Sequence, residues 1–120
     1  MKTYQEAAAF LGARQSRKAL FAGHATWIER ISPFLIGVRY RETYVVSYGI
    51  TGTIWLYSGG CRTVTTKHRM NQFSPARIWQ SRFNWYVAHP GEFQERPFTD
   101  GMALHPQGIP IELFKQVPLF

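Results

Sequence analysis

The chain has 120 residues, of which 45% are hydrophobic and 16% aromatic, and it carries 14 Lys and Arg against 7 Asp and Glu, a formal net charge of +7. That length and apolar content accommodate a single domain over residues 1–120 and exclude an intrinsically disordered chain. The charge is typical of proteins that meet nucleic acid, a nucleotide, an acidic protein face or an anionic membrane, although charge that only maintains solubility is the simpler alternative.

The first predicted element is a short helix. Thr3 and Glu6 have the spacing of a capping box, the alanines that follow favour helix, and Gly12 is a typical helix stop. The next segment, RQSRKALFAG, carries three cations and is interpreted as a loop. We therefore predict a helix plus a basic loop over residues 1–22.

From residue 23 the pattern changes to strands. Segments that mix β-branched, aromatic and polar residues follow one another at short intervals, as in an antiparallel meander: ATWIERI, IGVRYRE, TYVVSYG and GTIWLYS. Further on, RIWQSRFNWYVAH is predicted as a hairpin with a polar turn around Ser81–Asn84, and PFTDGMALH as a final short strand and turn. Residues 23–104 are thus predicted to form an antiparallel sheet core, and residues 105–120 an apolar C-terminal tail.

These elements predict an α+β fold, in which the N-terminal short helix packs on a curved antiparallel β-sheet, a meander that is partly barrel-like.

The most distinctive segment is SGGCRTVTTKHRMNQF, at Ser58–Phe73. Its Thr-Val-Thr-Thr run predicts a strand, and HRMNQF predicts one or two helical turns with Thr65 or Thr66 as a cap. No carboxylate occurs between Glu42 and Glu92, so the cations of this half of the chain favour an anionic partner.

This segment, together with LGARQSRKA and the strand pair GVRYRETYVVSYG–GTIWLYSGG, resembles a family of small proteins of tailed bacteriophages and prophages. Its members show a Gly-Gly-Trp-x-Thr-Val-Thr-Thr-Lys-x-Arg-Met/Ile-Asn signature, then a Trp-Tyr-Val strand and a Phe-x-Asp-Gly-Met segment. Here Trp85-Tyr86-Val87 and Phe98–Met102 match the later parts, whereas Cys61 stands where the family has Trp. The resemblance covers roughly residues 10 to 104 and implies a phage context rather than an activity.

The candidate contacts with nucleic acid or another partner combine cations, an amide and aromatic rings. Lys and Arg neutralise phosphates, Asn can orient phosphates or base edges, and rings beside cations are typical of single-strand binders and nucleotide pockets. The alternative is a role in the fold, because Arg and Asn can bond backbone carbonyls and rings at strand spacing commonly fill a β core. The candidates are Arg62, Lys67, Arg69, Asn71, Arg77, Arg82, Trp55 and Trp79.

No catalytic residue, cofactor or metal site is predicted. The four histidines are dispersed, and neither paired carboxylates nor a phosphate-binding Gly-rich loop occurs, so we expect a protein that is not an enzyme. The single Cys61 cannot form an internal disulfide and indicates a reducing compartment. Since no signal-peptide core or membrane-length apolar run occurs, we expect the host cytoplasm and no membrane partner.

Three functions follow as hypotheses. The first is a phage-encoded, non-enzymatic counter-defence protein, similar to an anti-CRISPR protein, whose basic face engages nucleic acid or a host defence ribonucleoprotein. The second is a sponge that sequesters a nucleotide signal in a pocket of arginines and rings within a homo-oligomer. The third is a virion assembly protein.

Overall fold

The computed structural model describes residues 1–13, 15–21, 25–91 and 96–111. Within them the chain forms two helices and nine strands: α1 (Tyr4–Leu11), β1 (Arg17–Phe21), β2 (Thr26–Ser32), β3 (Leu35–Tyr40), β4 (Thr43–Gly49), β5 (Ile54–Leu56), α2 (Val64–Phe73), β6 (Arg77–Ser81), β7 (Asn84–Ala88), β8 (Arg96–Pro97) and β9 (Met102–Leu104).

The strands form two antiparallel sheets. The larger sheet has the order β1-β2-β3-β4-β5-β9, and the smaller one has the order β6-β7-β8. The predicted α+β class and the meander from β2 to β5 are confirmed. The partial barrel is wrong: β1 and β9 are opposite edges of an open sheet, because β6, β7 and β8 pair with one another instead of extending it.

Helix α1 begins and ends as predicted. The Thr3 hydroxyl accepts a hydrogen bond from the Glu6 N–H at 3.2 Å, and the Gly12 N–H donates to the Ala8 carbonyl at 3.0 Å. Gly12 adopts a φ of 85°, which favours glycine. The Thr3 cap and the glycine stop therefore set the two ends of the helix.

The predicted basic loop is partly wrong, because Arg17–Phe21 is strand β1. It pairs with β2, with Arg17 opposite Glu29 and Ala19 opposite Trp27. Cations are common on the edge strand of a sheet, where they discourage pairing with other chains. Those cations obscured the strand pattern in the sequence.

The Thr-Val-Thr-Thr run is not a strand but the start of helix α2. The Thr63 hydroxyl accepts a hydrogen bond from the Thr66 N–H at 3.2 Å, so the cap is Thr63 rather than Thr65 or Thr66. The buried residues of α2 recur at helical spacing, at positions 66, 69, 70 and 73. This buried face outweighs the strand preference of three β-branched residues.

The core lies between the inner face of the larger sheet and a layer made of the two helices and the smaller sheet. Strands β2 to β5 supply its largest part, with Ile28, Val38, Val46 and Leu56 fully buried. Helix α2 contacts β3, β4 and β6, so it joins the two sheets.

The described part of the C-terminal tail turns back onto the edge strand β9. Pro110 forms a bridge with Leu104, and the Ile111 N–H donates to the Ala103 carbonyl at 2.9 Å. Residues 112–120 of the predicted tail lie outside the described residues.

Tyr48 on β4 secures the last turn of α2. Its buried hydroxyl donates to the Phe73 carbonyl and lies 3.4 Å from the Met1 carbonyl oxygen. We expect Tyr48→Phe to lower the free energy of unfolding at pH 7 by about 1 kcal/mol, as for loss of one hydrogen bond. Urea denaturation measures this free energy. The matched control is Tyr57→Phe, which removes the hydroxyl of a tyrosine that is 43% exposed.

The same substitution should change the dependence of stability on pH. Burial, and secondarily the Glu6 carboxylate, raise the pKa of Tyr48 well above its ordinary value of about 10. Its contribution to stability is therefore complete below pH 10 and is lost at higher pH, by about 1.4 kcal/mol per pH unit, as the unfolded phenol ionises. The stability difference between wild type and Tyr48→Phe should shrink above pH 10, and a constant difference from pH 8 to 11 would contradict this.

Candidate nucleic-acid interface

The predicted contact residues fall into three places. Strands β6 and β7 with their turn carry Arg77, Trp79 and Arg82, whereas Trp55 lies on β5 in the other sheet. Arg62 precedes α2, and α2 itself carries Lys67, Arg69 and Asn71.

The predicted hairpin is confirmed as β6–β7. Trp79 pairs with Tyr86, Gln80 with Trp85 and Ser81 with Asn84. Side chains alternate between the two faces of a strand. The inner face of the hairpin packs in the core with Ile78, Trp85 and Val87. The outer face bears Arg77, Trp79 and Tyr86.

The outer face of the hairpin combines rings with a cation. The Trp79 and Tyr86 rings stack with centroids 6.0 Å apart and planes inclined by 28°. The Arg77 guanidinium lies 4.8 Å from the Trp79 ring centroid. Rings that stack on bases beside a guanidinium that meets phosphate are typical of surfaces that bind single strands.

Two cations flank the inner side of the hairpin, against Trp85. The Arg62 guanidinium lies 5.6 Å from the Trp85 ring centroid and 5.2 Å from that of Phe98, and the Lys67 ammonium lies 6.0 Å from Trp85. Trp85 is only 3% exposed, so this ring belongs to the core and the cations cover it. Arg62 Nη2 also lies 3.8 Å from Asp100 Oδ2, and this carboxylate offsets part of the charge of Arg62.

The turn of the hairpin is unusual. Its two central residues, Arg82 and Phe83, have φ angles of 50° and 70°, in the left-handed region that a tight two-residue turn requires. Asn-Gly adopts this turn readily, whereas each larger residue there costs about 1–2 kcal/mol. The side chain of Phe83 is also 94% exposed, so burial of the ring does not offset this strain. Phe83 is not among the contacts predicted from the sequence, although its position within the predicted turn, Ser81–Asn84, was a signal that could have identified it.

We use the term hairpin surface for three groups of residues around the hairpin: Arg77, Trp79 and Tyr86 on its outer face, Arg82 and Phe83 at its turn, and Arg62 and Lys67 on its inner side. Within the described residues, Lys67, Arg77 and Arg82 form no salt bridge.

A model of the Kyanoviridae Gp96 protein family matches residues 9–105, a span that includes α2 and the whole hairpin. The chain belongs to this family of phage proteins. The expected phage context is thereby confirmed at the level of the family. No curated protein and no solved structure matches the chain.

Two of the predicted contacts of this Gp96 family member have roles in its fold. Arg69 is 7% exposed, and its Nε donates to the Thr26 hydroxyl at 3.2 Å. The Asn71 side chain donates through Nδ2 to the Ile78 carbonyl at 2.8 Å and accepts through Oδ1 from the Ile78 N–H at 2.7 Å. The two Asn71 bonds hold β6, the first strand of the hairpin, onto α2, whereas the Arg69 bond joins α2 to β2.

Trp55 lies on the outer face of the larger sheet, opposite Ser47 and Ala103 on the neighbouring strands. Its ring extends over Gly49, where an added Cβ would come within 2.9 Å of the indole. Trp55 also lines a shallow groove of about 200 Å³ with Leu35, Ser47 and Tyr57. The structure therefore separates Trp55 from the hairpin surface.

The cations on the outer face of the larger sheet share one carboxylate. Glu29 lies 3.5 Å from Arg17 and 3.2 Å from Arg39, and it accepts a hydrogen bond from the Tyr44 hydroxyl at 2.7 Å. That hydrogen bond, and then burial, raise the pKa of Tyr44. Because Glu29 offsets their charge, these arginines are a weaker site for an anion than the hairpin surface.

A pocket of about 210 Å³ lies beside the N-terminal turn of α2. It is lined by Tyr40, Arg41, Glu42, Thr43, Val45, Ser58, Gly59, Cys61 and Thr66. This volume is below the range of about 300–1,000 Å³ that is usual for sites of drug-sized ligands.

The described parts of the chain contain no group of three or more His, Cys, Asp or Glu side chains placed to hold a metal ion. Neither of the helices described is long and apolar enough to cross a membrane.

The bonds of Asn71 lead to a stability prediction. Asn71→Ala should lower the free energy of unfolding by about 1–3 kcal/mol, because the N–H and the carbonyl of buried Ile78 both lose their partner. Asn84→Ala is the matched control, since Asn84 is exposed and makes one 3.3 Å bond to the Arg82 carbonyl. Urea denaturation of both variants would contradict the assignment if their stabilities were equal.

Proposed function

We propose that this phage protein is a non-enzymatic binding protein that engages single-stranded nucleic acid through the hairpin surface. One observation carries the proposal. The stacked Trp79–Tyr86 pair lies beside Arg77 on a hairpin that contains no carboxylate from residue 77 to 88.

Charge supports a polyanionic partner. No Asp or Glu occurs between Glu42 and Glu92, and Lys67, Arg77 and Arg82 form no salt bridge among the described residues. Cations that contact phosphates release counterions on binding, so this charge contributes affinity that falls as salt increases.

The rings support single strands over duplex. Bases of a single strand are free to stack on aromatic side chains, whereas in a duplex they already stack on each other. Trp79 and Tyr86 are half-buried, so each is held by the sheet and still accessible in part.

Membership of a phage family supports a function inside the infected host. We propose counter-defence in the host cytoplasm, similar to that of an anti-CRISPR protein, in which the hairpin surface docks on nucleic acid displayed by a host defence ribonucleoprotein. A nucleotide sponge has less support, because the pocket beside α2 is small and carries the Glu42 carboxylate next to Arg41.

One observation favours virion assembly as the second candidate. Ile31, Phe34 and Ile50 are exposed apolar residues at one end of the larger sheet, and the Ile50 N–H donates to the Phe34 carbonyl at 2.9 Å. Exposed apolar clusters are typical of surfaces that contact other proteins.

Binding is tested by fluorescence anisotropy with a labelled single-stranded oligonucleotide over a series of salt concentrations. The variant K67A/R77A/R82A should bind more weakly than wild type. The negative slope of log affinity against log salt should become shallower by about 2, as for the loss of three phosphate contacts to a single strand.

The matched control is K2A/K18A/R41A, which removes the same charge from exposed positions outside the hairpin. It should retain more affinity and a steeper slope than the hairpin variant. Equal losses in the two variants, or no binding by wild type at low salt, would overturn the proposal.

The biological role is tested by affinity purification of the tagged protein from infected cells, with nuclease treatment of half the sample. If the role is counter-defence, the wild-type protein should recover a host complex from the sample without nuclease, and K67A/R77A/R82A should not. Recovery with phage particles, unaffected by that variant and reduced by Phe34→Ala, would instead support virion assembly.

A further inference from the structure

Phe83 is the most exposed large apolar side chain among the described residues, at 94%. All its neighbours from residue 80 to 84 are also exposed, and they are polar or charged: Gln80, Ser81, Arg82 and Asn84. A single ring in a polar surround does not form the broad apolar patch that is typical of a protein interface.

The ring is presented by an anchored element. On one strand of the hairpin, Ile78 is bonded by Asn71 through both its N–H and its carbonyl. On the other strand, Trp85 packs against Phe98 with ring centroids 5.5 Å apart. Since both strands are fixed to the core, the backbone of the tip is held in place before any partner arrives, which reduces the entropy lost on binding.

The turn adopts a conformation that suits glycine better. Phe83 has a φ of 70°, which Gly would adopt without strain. Strained backbone conformations concentrate at functional sites, and here the strain coincides with an exposed ring.

We propose that Phe83 is a base-stacking residue for single-stranded nucleic acid, with Arg82 beside it to contact a phosphate. This inference rests on the proposed function and identifies the residue at the end of the binding surface. Phe83 lies three residues from Tyr86, roughly 10 Å along an extended chain. A single strand that stacks on Trp79 and Tyr86 can therefore continue to the tip.

Charge complementarity favours this occupant. The segment from residue 77 to 88 carries Arg77 and Arg82 and no carboxylate. Insertion into a duplex would require that paired bases unstack first, whereas the bases of a single strand are already available.

The test uses the full chain and a single-stranded oligonucleotide that contains 2-aminopurine, a base whose fluorescence changes on stacking. We expect Phe83→Ala to weaken binding by about 5- to 150-fold, the range that alanine substitution of one stacking ring gives, and to reduce the fluorescence change. Phe83→Trp should retain both signals. Phe83→Leu, which keeps an apolar side chain without a ring, should resemble Phe83→Ala.

Two variants separate binding from folding. Phe83→Gly should be at least as stable as wild type in urea denaturation, because glycine relieves the turn, yet it should bind as weakly as Phe83→Ala. Phe34→Ala removes another exposed phenylalanine, 64% exposed at the β2–β3 turn, and should bind like wild type.

The outcomes distinguish this inference from the proposed function. If wild type binds and K67A/R77A/R82A does not, but Phe83→Ala binds like wild type, only the role of Phe83 is overturned. If wild type does not bind single strands, both proposals fail. If Phe83→Ala weakens duplex binding as much as single-strand binding, the assignment to single strands is overturned.

Discussion

Helix α2 holds the two sheets together, and the position of the hairpin depends on it. On one side Met70 and Phe73 are buried in the core, and the Tyr48 hydroxyl on β4 donates to the carbonyl of the helix's last residue. On the other side Asn71 forms two hydrogen bonds with Ile78. Because the smaller sheet does not pair with the larger one, these contacts fix where the hairpin lies.

Local signals allowed part of this fold to be predicted. The cap of α1, the meander and the β6–β7 hairpin each depend on residues close together in the sequence. The helical turns predicted for HRMNQF are confirmed as the later part of α2. The first turn of α2 was missed because Thr-Val-Thr-Thr has strand propensity, which only the tertiary burial of the helical face overrides. The open sheet was missed for a similar reason, since the choice between closing a barrel and starting a second sheet is set by long-range packing.

The chemistry of the candidate surface and most of its members were predictable, but the sequence could not separate these members from similar residues that lie elsewhere in the fold. The sequence marks Arg69 and Arg77 alike as cations near aromatic residues, and only the fold buries the first and exposes the second. Trp55 and Trp79 likewise differ by the sheet to which they belong. To predict that Phe83 lies at the tip required the register of the hairpin, because a shift of one residue would have placed a different side chain there.

The open sheet also bears on self-association. Its β9 edge is covered by the turn that carries Pro110, whereas β1 pairs on one side only within the described residues. The cations Arg17 and Lys18 on β1 thus oppose the addition of a strand from another molecule. Because this protection is electrostatic, polyanions or high salt that screen it would leave the backbone of β1 more open to the addition of a strand from another molecule.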